Sequence, residues 1–144
     1  MLRKLFVLIV AASALSACES GPAVTPPSTP PPPTAPASYM TFFDFNSVKL
    51  SDQSMSTISQ AAQVYKTKAN ARVTVTGYAD TVGSAAANMQ LSQRRANAVK
   101  DGLVKAGVPA AAITTAASGD TGTLVNTGPQ QNEPRNRRVA IVIN

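Results

Sequence analysis

The chain has 144 residues, room for one modest domain with extensions, and with 44% hydrophobic and 14% charged residues most of it is expected to fold. It contains no histidine, no tryptophan and a single cysteine, Cys18, which excludes a Ser-His-Asp triad, a Cys-His pair, a Cys/His metal site and an internal disulfide. The formal charge is +6; no metal or cofactor is expected, and any chemistry must rest on carboxylates, basic side chains, amides, hydroxyls and backbone groups.

Arg3 and Lys4 precede a largely apolar stretch from Leu5 to Leu15, too short to span a bilayer, which takes ~20 apolar residues. A basic start, a short apolar core and small residues after it describe a secretory signal peptide, expected at 1–17. Its end, Leu15-Ser16-Ala17-Cys18, resembles the lipobox of bacterial lipoproteins. That resemblance implies cleavage before Cys18 and lipid on it, so the chain is expected to be anchored to a membrane rather than to cross it. Eight of the eleven prolines fall in residues 19–38. Proline fixes φ and lacks a donor, so residues 18–38 read as a lipidated cysteine with an extended tether. At ~3.1 Å per residue such a spacer reaches up to about 60 Å. A docking site for a proline-recognition module is the rival reading of the same stretch.

Residues 39–144 form the expected domain. Tyr39 to Phe45 is aromatic-rich and predicts a strand. From Asp52 to Lys68 the spacing becomes helical, with Met55, Ile58, Ala62 and Tyr65 on the apolar side and Ser51 as N-cap. Ala71 to Tyr78 alternates as a half-buried strand does. Thr81 to Ser84 is a turn, Ser84 caps a second helix over Ala85–Ala106, and Gly107 with Pro109 stops it. Ile113–Ala117 and the β-branched Arg138–Ile143 complete the strands, with a glycine-rich loop from Gly119 to Gly128 between them. The order β-α-β-α-β-β predicts an α+β domain, a small mixed sheet with its helices on one face.

The second helix carries the chemistry. Stepped at 100° per residue, Leu91, Ala98, Val99, Gly102, Leu103 and Ala106 make an apolar stripe, and Asn88 and Arg95 fall inside it. Arg94 points to the edge and Gln93 to water. A guanidinium on a core-facing side requires a carboxylate or a polar ligand, and Asp80, just before the turn into this helix, is the candidate. Two readings follow from the residues alone. Asp80 orients the helix start and pairs with Arg95 for stability, or the two stand apart across a groove and grip a zwitterion, carboxylate to ammonium and guanidinium to carboxylate.

Gly77-Tyr78-Ala79-Asp80, Gly83-Ser84, Asn88, Leu91-Ser92, Arg95-Ala96 and Asn136-Arg137-Arg138-Val139 together resemble the OmpA-like peptidoglycan-binding domain, and Phe43-Asp44-Phe45 is similar to the first strand of its peptidoglycan-associated lipoproteins. The resemblance covers nearly all of 39–144. It implies binding of the diaminopimelate side chain of peptidoglycan, with Asp80 on the ligand's ammonium, Arg95 on its carboxylate, Asn88 and Leu91 lining the groove, and Phe43 and Asp44 at its rim. It departs from the family at Tyr78-Ala79, where histidine and threonine are common, and in the loop Gly119-Asp120-Thr121-Gly122-Thr123-Leu124.

Arg135, Arg137 and Arg138 form a basic cluster, read either as a solvated charge run or as support for the groove, through Arg138 above the others. The domain's eleven basic and six acidic residues suit an acidic polymer such as the wall; nucleic acid is not expected, since no aromatic-basic stacking platform is present. The resulting expectation is a non-catalytic lipoprotein of the outer membrane, its domain in the periplasm, tying membrane to wall. Alternatives are an accessory subunit of a larger envelope assembly, touching other envelope proteins through Gly119–Gln131, and a wall hydrolase using Asp44 and Asp80 as paired carboxylates.

Overall fold

The computed structural model describes residues 35–144; the expected signal peptide, Cys18 and the tether up to residue 34 lie outside the described residues. Four strands and two long helices follow in the order β1 (Ala37–Phe42), α1 (Asp52–Thr67), β2 (Val73–Gly77), α2 (Ala85–Lys105), β3 (Ile113–Ala117) and β4 (Arg138–Ile143). Short 3-10 turns at Ala110–Ala112 and Pro134–Asn136 precede β3 and β4. The sheet runs β1-β4-β2-β3, with β4 antiparallel to both neighbours and β2 parallel to β3. The last strand in sequence is thus inserted between β1 and β2. This is the α+β mixed sheet expected from the element order.

Local signals account for most boundaries. Ser51 and Ser84 cap their helices, their side chains accepting from the amides of Ser54 and Ala87. Gly107, at φ +98°, ends α2 in a left-handed conformation that disfavours side-chain-bearing residues. β1 begins two residues before the expected Tyr39 and stops at Phe42. Asp44 to Ser47 turns back instead of extending, the Ser47 amide donating to the Asp44 carbonyl at 3.1 Å with Asn46 at φ +47°.

Val73 and Val75 of β2, with Val139, Ile141 and Ile143 of β4, point to the helix-covered face, where they meet Ile58, Ala61 and Ala62 of α1 and Ala96, Val99 and Leu103 of α2. The buried face of α1 is Ser54, Ile58, Ala61 and Ala62; Met55, expected in the core, is 45% exposed. Ile58 and Ala62 are buried as expected and Tyr65 packs against the core, so the departure is confined to the first turn, where Ser54, not Met55, lies against β1, its hydroxyl donating to the Phe42 carbonyl at 3.4 Å. Ile58→Ala is therefore expected to lower unfolding free energy by about 2–5 kcal/mol, whereas Met55→Ala should stay within about 0.5 kcal/mol of the parent. Denaturant titration of the two variants checks this.

Candidate functional site

The last turn of β2, the start of α2, the Asp44–Ser47 turn and the segment entering β4 meet around one groove of about 270 Å³. Phe45, Asp80, Asn88, Leu91, Arg94, Arg95 and Arg137 are among its lining residues. One carboxylate therefore faces three guanidinium groups.

Arg95 is wholly shielded from water and is among the largest fully buried side chains of the domain. Its stem leaves α2 on the sheet side, and its fork is used on backbone: Nε donates to the Ser47 carbonyl at 2.9 Å, Nη1 to Tyr78 at 3.2 Å and Nη2 to Asp44 at 3.0 Å. The guanidinium lies 5.3 Å from the Phe43 ring centroid. Three of its five N–H groups are thus committed. Burial, then the nearby Arg137, push its pKa down to about 10 against the pull of Asp80, with Arg94 adding to the depression. Charging a base whose folded pKa is depressed opposes folding below that pKa and is relieved only as pH rises above about 10. Arg95 is therefore fully charged, and contributes no pH dependence, through the neutral range.

Of the two readings of Asp80 and Arg95, direct pairing is not the one formed. Asp80, 4% exposed, takes Nη1 of Arg137 at 3.2 Å, and its other oxygen accepts weakly from the Val82 amide at 3.4 Å. Arg137 also donates from Nε to the Phe43 carbonyl at 3.0 Å and from Nη1 to the Asn132 side chain. Sequence reading left Arg137 inside an undivided basic cluster. The chain path separates its members: Arg135, in the 3-10 turn, is exposed and paired with Glu133 at 2.9 Å, Arg137, just before β4, turns to the groove side, and Arg138, the first residue of β4, takes the opposite face of the sheet. Arg138, expected to support the groove, instead lies over the Tyr78 ring, 3.9 Å from its centroid, and donates from Nη2 to the Gly122 carbonyl at 2.9 Å. It braces the glycine-rich loop.

The remaining expected site residues divide. Asn88 is buried at the groove wall and its amide donates to Asp120 at 3.3 Å, tying α2 to that loop. Leu91 is half-buried at the groove edge rather than at the centre of the buried stripe, which runs through Ser92, Arg95 and Val99. Phe43, expected at the rim, is in the core beneath Arg95, and Phe45 takes the groove position, 55% exposed. The Asp44 carboxylate is exposed and does not line the groove; only its carbonyl serves the site, through Arg95. A rim of Phe43 and Asp44 is therefore corrected to Phe45 and Asn46, because the chain turns at Asp44 instead of continuing as a strand.

Residues 42–137 match the OmpA family model. Over 117 residues the chain is 37% identical to an outer membrane protein of Gluconacetobacter diazotrophicus, covering 77% of this chain and 31% of that protein. It is also 37% identical over 87 residues to the peptidoglycan-binding protein ArfA of Mycobacterium bovis, 60% of this chain and 27% of the relative. The chain thus spans about a third or less of these relatives. Among solved structures, the peptidoglycan-associated lipoprotein of Burkholderia pseudomallei superposes with a TM-score of 0.68 at 27% identity, over 74% of this chain and 90% of that one.

Proposed function

The chain belongs to the OmpA family, and we propose that its groove binds the diaminopimelate side chain of peptidoglycan without catalysis, as the wall-side grip of an outer-membrane lipoprotein. The observation that carries this reading is the lining of the groove, one carboxylate, Asp80, opposite Arg95, Arg137 and Arg94. A zwitterionic side chain fits such a lining, its ammonium on Asp80 and its carboxylate on guanidinium. Because Arg95 is shielded, Arg137 and Arg94 meet the carboxylate first. The two uncommitted N–H groups of Arg95 receive it where the groove walls yield. The surplus of positive charge suits a wall peptide that carries further carboxylates. The names of the Mycobacterium and Burkholderia relatives support the wall as ligand.

Lipid on Cys18 and a proline-rich spacer would place this grip at the end of an anchored tether, and the Gluconacetobacter relative supports the outer membrane. The paired-carboxylate alternative finds no support in the geometry: Asp44 lies outside the groove and Asp80 is held by Arg137.

The test is retention of the full chain on purified sacculi. At ~1.5–3 kcal/mol per charge-assisted contact, Asp80→Asn is expected to weaken binding about tenfold or more, and free diaminopimelate should compete with the parent. A melting curve confirms that the variant is folded. Full retention by folded Asp80→Asn, with no competition, overturns the proposal.

A further inference from the structure

The chain enters the domain at one end of the sheet and the groove opens at the other. β1 begins where Ala37 faces Ile143, and Val73 faces the same Ile143 from β2. There Lys68 Nζ donates to the Ala35 carbonyl at 3.0 Å and to the Ile143 carbonyl at 3.3 Å, clipping the entering chain to the end of β4. Beside it Arg72 and Asn144 exchange backbone bonds at 3.1 and 3.0 Å. At the far end Phe42 faces Arg138 and Gly77 faces Val139, and just beyond them Asp80 and Arg137 line the groove. At ~3.4 Å per residue, the length of β1 puts about 20 Å between these ends.

Because β1 and β4 are antiparallel, their N-terminal ends lie at opposite ends of the sheet. A pull through the entering chain reaches β1 at its N-terminal end. A pull from a ligand held on Arg137 reaches β4 at its own N-terminal end, one residue before Arg138. The two strands are then drawn past one another along their axes, across hydrogen bonds that run perpendicular to them. Every pair from Ala37–Ile143 to Phe42–Arg138 shares that load, and all must fail together. A pull on Asp80 gives the same result, since β2 is loaded at its C-terminal end and passes its share to β1 through β4.

The groove cations lengthen this ladder. The Arg137 carbonyl accepts from the Phe43 amide at 2.9 Å, and its Nε donates back to the Phe43 carbonyl at 3.0 Å. Arg95 holds the Asp44 and Ser47 carbonyls that follow. Residues that line the ligand groove therefore also pin the end of the strand that would slide. We propose that β1 and β4 form a shear-loaded latch, which makes the domain resist pulling between membrane and wall better than pulling between its own chain ends. The direction of load rests on the wall-grip reading above; the latch rests on the ladder alone. A pull between Ala35 and Asn144 is the contrast, because both lie at one end of the sheet and the same ladder then opens pair by pair from Ala37–Ile143.

Force spectroscopy on the unlipidated full chain uses the thiol of Cys18, the one cysteine of the sequence, as the first handle. The second handle is an added thiol, in Arg135→Cys before β4 or in Asn144→Cys after it; both positions are exposed. Arg135 is held by an exposed ion pair to Glu133, whose loss should cost little stability. The two variants are therefore expected to melt together, which assigns any difference in force to its direction. Forced opening follows the unfolding barrier along the pulled direction, so at one loading rate the force from residue 135 should be at least about twofold that from residue 144. Equal forces, or a higher force from residue 144, overturn the latch. The measurement needs no wall: failure of the parent to bind sacculi would overturn the proposed ligand and leave the force ratio standing, whereas equal forces would leave sacculus retention untouched.

Discussion

Gly77→Ala is expected to lose at least about 4 kcal/mol of stability, the range reached only when something immovable is struck. A methyl at residue 77 would sit 1.9 Å from the Ser92 carbonyl oxygen and 2.8 Å from its carbon. Both are helix backbone, so relief requires α2 to lift bodily off β2. Ser92 is itself fixed: it is fully buried, its hydroxyl donates to Met89 at 2.8 Å and accepts from the Gly119 amide at 3.0 Å. Asn88 and Arg95 stand one turn either side, so the groove would be lost with the packing. A domain holds only about 5–15 kcal/mol in total, and the variant should be largely unfolded or recovered as aggregate. Gly102→Ala is the control. Its methyl would meet the end of the Ile58 side chain at 3.1 Å, a flexible neighbour, and the change should stay within about 1 kcal/mol because alanine favours the helix. Circular dichroism melts of the two distinguish the cases; equal stability of Gly77→Ala and the parent would refute the close approach.

Arg95→Ala is expected to cost about 3–5 kcal/mol, the range for emptying a large buried site. Among the described residues the side chain is the one donor to the Tyr78 and Ser47 carbonyls outside regular ladders, and it shares the Asp44 carbonyl with the Ser47 amide. Its removal leaves these acceptors facing a void beside the Phe43 ring and frees the turn that carries the groove's rim. Arg94→Ala, next in sequence but exposed, should change stability by less than about 0.5 kcal/mol. Denaturant unfolding checks both. One consequence bears on function: lost sacculus binding in Arg95→Ala reports a collapsed groove as readily as a lost contact, which is why Asp80→Asn, similar in volume, is the cleaner probe.

The elements themselves were legible along the chain. Serine caps, glycine stops, β-branched runs and helical spacing are local signals, and α2, β3 and β4 lie where these signals put them within a residue. That Arg95 and Asn88 face inward also follows from helical period alone, since 100° per residue fixes which positions share a side. The placement of Met55 and Leu91 shows the limit: period alone does not fix which residues of a stripe are fully buried, and the packing of α1 on β1 and of Ser92 on Gly77 decides it.

What each charge touches was not legible. Asp80 and Arg137 are separated by 57 positions and meet because β4 inserts between β1 and β2, a topology that no local pattern encodes. Strand alternation sends Arg137 and Arg138, adjacent in sequence, to opposite faces, and that insertion decides what each face meets, the groove for one and Tyr78 for the other. Sequence by itself determined the inventory, a domain that must work with carboxylates and guanidinium groups, and one helix face on which a charge turns inward. Tertiary structure decided which acid answers which base, because ion pairing depends on distances of a few ångströms, and those are set by strands brought together from opposite ends of the domain.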